Sequence, residues 1–406
     1  MLRKTLRIIV TRATIRFPKH VFHKRWYSVE LERLIGVEAA KNQNIVNAAK
    51  DLKTAFEVFQ ESNFAQSRTL FESSISVLED ELRQYQKDSP LLAVAYNNIA
   101  ETLRTMYMQQ AQQSDGVQQN GSYKYNFKDI FPLFKKSEEI WLAREEKEEF
   151  AHEVATLYNN MGLFLMDNPN TLQDAIKMFG KSETMRRKLC EKFPEKTALR
   201  GDLSVTLSNL AQCFQRQQKT KLALKFYTEA KEVVCKDQPG HYSYFYIMLL
   251  NSIGTCMLGL GKQAEALKTF EEALESMEKQ RQQGTAPREE FGLTCLNLAT
   301  VYFGKNRFKE AESFYRQALH NFDKYLSPFT KTLGSCCTQL ALCLKKLQVE
   351  LQTTDPAKAL LLKEEADRLM ERSSRIAEHY KQQQQQLAQP QRKPSMFSTL
   401  LKAKKE

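Results

Sequence analysis

The sequence repeats one short pattern at intervals of several tens of residues. The stretch LYNNMGLFL at residues 157–165 is almost a copy of AYNNIAETL at residues 95–103. Weaker copies are KTAFEV (53–58), LSNLAQCF (207–214), LNSIGTCM (250–257), CLNLATVY (295–302) and CTQLALCL (337–344). Self-similarity at a period of roughly 20–50 residues is the signature of repeat architectures. The pattern therefore predicts a stack of similar units.

Each copy contains one small residue, and these residues define the repeat length. They are Ala55, Ala100, Gly162, Ala211, Gly254, Ala299 and Ala341, with spacings of 45, 62, 49, 43, 45 and 42 residues. Two antiparallel helices approach closely only where side chains are small. We therefore expect each copy to lie on the first helix of a helical hairpin, at the point where the second helix crosses it.

A second apolar segment follows each copy. In three consecutive units, two alanines flank an aromatic residue at constant offsets from the small residue of the first helix. These residues are Ala223, Tyr227 and Ala230; Ala266, Phe270 and Ala273; and Ala311, Tyr315 and Ala318. Prolines, which interrupt helices, fall between units at Pro90, Pro194, Pro239, Pro287 and Pro328. The segments thus predict the second helices of the hairpins.

This pattern resembles the tetratricopeptide repeat, whose first helix carries Tyr/Trp, Asn, Leu and a small residue and whose second helix carries Ala, an aromatic residue and Ala. The consensus repeat has about 34 residues, and the longer spacing here resembles the kinesin-light-chain type. The resemblance covers roughly residues 40–380 and is specific for the fourth to sixth units. It implies an all-α, right-handed superhelical solenoid of about seven hairpins.

Some units depart from the consensus. Ser67 and Ser74 stand where alanine is usual in the first unit, and Ile130 does so in the second. The last segment, residues 356–380, matches poorly, and we predict a capping helix with a polar outer face, as a solenoid requires.

The net charge of +12 is not spread evenly over the chain. Residues 1–27 hold eight lysines and arginines and no acidic residue, and residues 381–406 carry +5. Subtracting both from the total leaves about −1 for residues 28–380. A domain that neutralises many phosphates needs its basic excess on the folded body. We therefore expect no nucleic-acid partner.

The N-terminal segment is Arg-rich, free of acidic residues and amphipathic, which is typical of a mitochondrial transit peptide. The stretch RWYSVE resembles a matrix-peptidase site, and we predict cleavage between Tyr27 and Ser28. The alternative is a basic surface helix that lies on acidic lipid. The predicted domains are a targeting presequence at 1–27, the repeat solenoid at 28–380, and a Gln-rich linker with a basic, disordered tail at 381–406.

No apolar run approaches the ~20 residues of a membrane-spanning helix, so no transmembrane segment is expected. The tail could still contact anionic lipid peripherally, or a partner, through residues that would share one helical face: Met396, Phe397, Leu400 and Leu401. A solvated tail is the alternative.

The concave face of such a solenoid binds segments of other proteins. Aligned on the repeat, the inward positions are three before and one after the small residue. The predicted partner-binding groove consists of Asn97, Glu101, Asn159, Ser208, Gln212, Asn251, Thr255 and Thr300. Asparagine offers both a donor and an acceptor and can bind a peptide backbone. The alternative is that some asparagines only brace neighbouring helices, and we predict this for Asn98, Asn160, Asn209 and Asn297.

Nothing in the sequence favours catalysis. The eight cysteines form no Cys-x-x-Cys pair, and Cys213, Cys256 and Cys343 share one repeat position, where cysteine acts as a small hydrophobe. We see no nucleophile with a base and no metal-ligand spacing, so we expect neither an enzyme, a cofactor nor a metal.

Two functional hypotheses remain. The first is a mitochondrial scaffold, in the matrix or peripheral to the inner membrane, that assists assembly or maintenance of a larger respiratory complex. Tetratricopeptide proteins that act on respiratory complexes are the precedent for this role, and the analogy rests only on the fold and on the predicted cellular location. The second is a cytosolic cargo adaptor similar to kinesin light chain, for which residues 28–50 are too short to form the required heptad segment. The sequence determines neither the partner nor the oligomeric state.

Overall fold

The structure is a computed structural model, and it describes residues 42–61, 63–82, 89–113, 127–144, 149–235, 244–282, 289–326 and 328–388. The predicted presequence with Tyr27 and Ser28 lies outside the described residues, as does the tail from residue 389 onwards. Regular structure in the described part is helical throughout, with fourteen α-helices, one short 3₁₀ helix and no strand. The predicted all-α class is confirmed.

The helices follow one another as seven pairs along the chain. The first three pairs are α1 (Gln43–Gln60) and α2 (Phe64–Leu82), α3 (Pro90–Gln113) and α4 (Phe127–Ala143), and α5 (Ala151–Met166) and α6 (Leu172–Lys192). The next are α7 (Thr197–Arg216) and α8 (Thr220–Cys235), α9 (Tyr244–Gly259) and α10 (Gln263–Gln282), α11 (Glu289–Gly304) and α12 (Phe308–Tyr325), and α13 (Lys331–Leu351) and α14 (Pro356–Ala388).

The described chain forms two compact units that divide between Cys213 and Phe214. In the N-terminal unit the helices of each pair pack on each other, and the first helices α3 and α5 are neighbours. In the C-terminal unit the same holds for the pairs that begin with α9, α11 and α13, whose first helices also contact one another in order. Repeated helical hairpins are therefore confirmed within each unit.

Glycine in the first helix makes room for the aromatic ring of the second helix. A Cβ atom at Gly162 would lie 2.6 Å from Cε1 of Phe179, and one at Gly254 would lie 2.5 Å from Cε1 of Phe270. Both rings are fully buried. The predicted close approach at the small residue is thus confirmed, because any side chain there would overlap the ring.

Serine replaces alanine on some second helices without leaving a buried hydroxyl unpaired. The hydroxyls of Ser67, Ser137 and Ser182 each donate to a backbone carbonyl of the paired first helix, at 2.7 Å in all three cases. The acceptors are the carbonyl oxygens of Ala55, Ala93 and Ala155. A buried polar group costs little once it is hydrogen-bonded, which explains why the repeat tolerates this departure from the consensus.

The turns after three first helices share one conformation. Gln218, Gly261 and Asn306 have positive φ angles of 62°, 82° and 58° and lie at the same repeat position. After each of them the next backbone N–H donates to the carbonyl five residues back, as from Lys262 to Met257 at 2.9 Å. This is the Schellman motif, in which a left-handed residue ends the helix. The short turn lets the second helix begin at once.

The last helix differs from the sequence prediction in two ways. It continues through the glutamine run to Ala388, past the boundary predicted at residue 380, because consecutive glutamines have good helix propensity. Its outer face is not uniformly polar, since Leu360 and Leu361 are 56% and 63% exposed.

Candidate partner-binding surface

The eight residues of the predicted groove all lie on first helices of the hairpins. Five have buried side chains, namely Asn97, Asn159, Ser208, Gln212 and Asn251, and three are half-buried, namely Glu101, Thr255 and Thr300. Contact of the three buried asparagines with a partner would require their hydrogen bonds within the fold to open, and contact of Ser208 and Gln212 would require these buried side chains to become exposed. Partner contact stays a prediction, and the surface accessible without rearrangement comes from the half-buried positions.

The buried asparagines of the N-terminal unit connect successive first helices. Asn160 on α5 donates its side-chain N–H to Oδ1 of Asn97 on α3, at 3.2 Å. Asn209 on α7 donates to Oδ1 of Asn159 on α5, at 3.0 Å. The donor lies two residues before the small residue and the acceptor three before it. We call this chain of amide contacts the asparagine ladder.

The C-terminal unit repeats the ladder once. Asn297 on α11 donates to Oδ1 of Asn251 on α9, at 3.0 Å. The predicted bracing role is therefore confirmed for Asn160, Asn209 and Asn297. No side-chain hydrogen bond of Asn98 occurs among the described residues, so the prediction for that residue is not supported.

Two threonines complete the ladder, and sequence reasoning missed them. Thr206 on α7 donates to Oδ1 of Asn159 at 3.3 Å, and Thr294 on α11 accepts from Nδ2 of Asn251 at 2.8 Å. Both lie five residues before the small residue of their helix, and both are buried. Threonine five residues before the small residue occurs together with asparagine two residues before it only in the fourth and sixth repeats. This shared pattern could have identified the two threonines from the sequence.

The hydroxyl protons of the two half-buried threonines are used within the fold. The hydroxyls of Thr255 and Thr300 donate to carbonyls four residues back in their own helices, at 2.7 and 2.8 Å. Each hydroxyl oxygen can still accept a hydrogen bond from a partner. Along α13, Leu342 and Val349 add exposed apolar groups, with 38% and 66% of their surfaces accessible.

Glu101 belongs to an ion-pair cluster in the middle of α3. Its carboxylate accepts from both Nε and Nη2 of Arg104, at 2.8 and 2.7 Å, and Nη1 of Arg104 reaches Asp167 at 3.0 Å. These two carboxylates raise the pKa of Arg104, although its burial alone would lower it. The cluster links α3 to the end of α5 and leaves Glu101 engaged.

The tyrosines of the two strongest sequence copies lie between second helices. Tyr158 packs under Lys181, whose Nζ is 4.5 Å from the ring centroid, and beside the carboxylate of Glu138. Burial, together with this carboxylate, raises the pKa of Tyr158 to about 12. Tyr96 makes the same contacts with Lys136 and Glu79. These tyrosines are therefore structural and point away from the predicted groove.

Six of the eight cysteines are buried, and Cys190 and Cys235 are half-buried. Cys213, Cys256 and Cys343 are fully buried, and burial raises the pKa of the Cys256 thiol to about 12. Such thiols are inert as nucleophiles. Within the described residues, no three His, Cys, Asp or Glu side chains come together as metal ligands.

A surface cleft of about 460 Å³ lies between α1 and α2, and Asn44, Asp51, Asp80 and Glu81 are among the residues that line it. None of the predicted groove residues contributes to this cleft. Among the helices that the structure describes, none has both the length and the apolar character needed to cross a membrane.

Comparisons with known proteins agree with the repeat pattern. Residues 202–279 and 293–320 match models of the tetratricopeptide repeat. These segments coincide with the fourth to sixth units, where the sequence pattern is the most regular. No curated protein sequence matches the chain.

Several solved structures are similar over most of their length. BtubC (BKLC) from P. vanneervenii is 17% identical, with 62% of this chain and 98% of that chain covered at a TM-score of 0.36. PilW, a type IV pilus biogenesis factor, is 15% identical, with 72% and 97% covered at 0.45. The apo form of RapI is 14% identical, with 81% and 79% covered at 0.49. At such values we draw no functional conclusion from them.

Residues 202–279 and 293–320 thus carry tetratricopeptide repeats on helical hairpins, and such repeats indicate a scaffold for protein–protein interactions.

Proposed function

We propose that this protein is a non-catalytic adaptor of mitochondria that holds subunits of a larger respiratory complex during assembly or maintenance. The observation that carries the proposal is the segregation of charge: residues 1–27 carry +8 without an acidic residue, while residues 28–380 are close to neutral. A matrix-negative potential attracts cations by roughly 2.3 kcal/mol per charge per 100 mV. This segment therefore supports import to the matrix or to the matrix face of the inner membrane.

The hydrogen-bond pattern supports the adaptor role. In each of the two compact units the asparagine ladder joins neighbouring first helices, so that the predicted groove positions of these helices are held at a fixed spacing. Preorganised surfaces lose little conformational freedom on binding. A partner would contact the half-buried positions of these helices, such as Thr255 and Thr300, while the ladder beneath keeps their spacing.

Import is tested with isolated mitochondria. We expect the full-length chain to become protease-protected only when the membrane potential is present and to acquire a new N-terminus at Ser28. Replacing Arg3, Arg7 and Arg12 by glutamine should abolish protection. Wild-type protein that stays accessible to protease would refute the mitochondrial assignment, and protection without shortening would refute the cleavage site alone.

Partner binding is tested by affinity purification of a C-terminally tagged chain from gently solubilised cells. We expect respiratory-complex subunits to co-purify with the wild type and with Ala264→Lys, which adds one charge at an exposed position of α10. The double variant Thr255→Lys, Thr300→Lys should lose them while keeping its helical circular dichroism. Recovery of motor or vesicle proteins instead would favour a cytosolic adaptor and overturn the proposal.

A further inference from the structure

A charged cluster lies where α5, α6 and α7 meet, inside the N-terminal unit. His152 lies in the first turn of α5, Arg186 in the second half of α6 and Asp202 in the first half of α7. Nδ1 of His152 is 3.8 Å from Oδ2 of Asp202. This carboxylate oxygen is buried, and no described residue donates a hydrogen bond to it. A buried carboxylate oxygen in this state is rare in folded proteins.

The neighbouring arginine lies close enough for its charge to interact with the carboxylate, but it donates no hydrogen bond to Oδ2 of Asp202. Arg186 is only 2% exposed. Its Nη1 donates to the backbone carbonyl of Asp202 and, at 2.6 Å, to the hydroxyl of Thr206. Arg186 therefore ties α6 to the backbone of α7, while the Asp202 side chain remains directed at His152.

Two further side chains lie in this cluster. Glu153 on α5 is buried, and Cys190 on α6 is coupled to the charges of Arg200, Asp202, Arg186 and Arg187. Burial raises the pKa of the Cys190 thiol, which keeps it uncharged. Imidazole is the side chain that ordinarily gains its proton between pH 5 and 8. The His152 side chain is 33% exposed, so solvent reaches the ring, although its Nδ1 atom, which faces Asp202, is itself buried.

We propose that this cluster is a pH-sensitive clamp, in which a proton taken up by His152 from solvent creates an ion pair with the Asp202 carboxylate and holds α7 against α5. The ion pair exists only while the imidazole is protonated. Its contribution is therefore present at acidic pH and lost as pH rises through the range in which imidazole gives up its proton. Because α7 also carries Asn209, the clamp acts on the same helix junction as the ladder.

Hydrogen–deuterium exchange of the full chain at pH 5.5 and 7.5 tests the clamp. After correction for the intrinsic pH dependence of exchange, we expect peptides covering residues 197–206 to exchange about two- to fivefold more slowly at pH 5.5, as a single ion pair permits. The ratio of the corrected exchange rate at pH 7.5 to that at pH 5.5, which we call the pH ratio, should fall to one in His152→Gln and also in Asp202→Asn. His320→Gln, at an exposed position of α12, should keep the wild-type ratio.

Two results would overturn the proposal. One is an unchanged pH ratio in both cluster variants when each has a wild-type circular dichroism spectrum. The other is a wild-type chain whose residues 197–206 show no pH ratio at all. If His152→Gln unfolds, the Asp202→Asn variant alone decides, since it retains the size of the side chain. The outcome does not depend on where in the cell the protein acts.

Discussion

Asn209 donates its side-chain amide to the side-chain oxygen of Asn159, 3.0 Å away on the preceding first helix. Both side chains are fully buried, and the same relationship joins Asn160 to Asn97 and Asn297 to Asn251. Asn160, the second asparagine of its Tyr-Asn-Asn copy, is therefore a donor to the previous repeat, and the first asparagines of the two copies, Asn97 and Asn159, are acceptors for the next one. The asparagines of the sequence motif therefore form hydrogen bonds between successive repeats.

Removal of one acceptor from this ladder should be costly. We predict that Asn159→Ala lowers the free energy of unfolding by about 1–3 kcal/mol, because it leaves the buried side-chain amide of Asn209 without its acceptor. Urea denaturation followed by circular dichroism measures the loss. Asn98→Ala is the control, since Asn98 makes no side-chain hydrogen bond among the described residues, and it should change stability by less than about 0.5 kcal/mol. Equal losses in both variants would contradict the ladder.

Two glycines on paired helices should respond to alanine with opposite signs. We predict that Gly162→Ala destabilises the fold by about 1–3 kcal/mol, since the new Cβ would lie 2.6 Å from the ring of Phe179. Gly180→Ala meets no atom within 4 Å and should stabilise by roughly 1 kcal/mol through helix propensity. Thermal unfolding of the two variants distinguishes the effects, and destabilisation by both would count against the packing argument.

The turn after α7 carries conformational strain that can be removed. Gln218 has a φ of 62°, a conformation that glycine adopts at no steric cost and that Gly261 already occupies in the next hairpin. We predict that Gln218→Gly raises the free energy of unfolding by roughly 1 kcal/mol. Gly261→Ala should lower it by a similar amount. A melting temperature that falls in Gln218→Gly would show that the left-handed conformation is not what limits this turn.

Acid stability should depend on Glu138. Although burial alone would raise it, the hydrogen bonds and charges of Lys135 and Lys181 hold the pKa of Glu138 below its usual value. A carboxylate with a lowered pKa stabilises the fold above its unfolded-state pKa, and this stability is lost as pH falls through the folded-state value. We therefore predict that Glu138→Gln is less stable than the wild type at pH 7 and that the two curves converge below about pH 4. Parallel curves over the whole range would exclude the ion pairs as the cause.

The sequence alone determined the helical hairpins and their order. The small residues, the Ala-aromatic-Ala segments and the prolines are local signals, and each is set by the space or backbone angle that one residue needs. For this reason Gly162 and Gly254 were placed correctly beside their aromatic partners. The sequence analysis ended α14 too early because the run of glutamines contains no periodic apolar residues. Glutamine nevertheless has a helix propensity high enough for the helix to continue to Ala388.

Only the tertiary structure decided which polar residues are free to bind. Asn97, Asn159 and Asn251 occupy inward positions in the repeat, yet their side-chain oxygens accept hydrogen bonds from the next first helix. The contact of His152 with Asp202 was likewise invisible, because it joins two helices 50 positions apart in the chain. Periodicity fixes the face of a helix on which a residue lies, but whether that face is open to a partner depends on how closely the neighbouring helix packs.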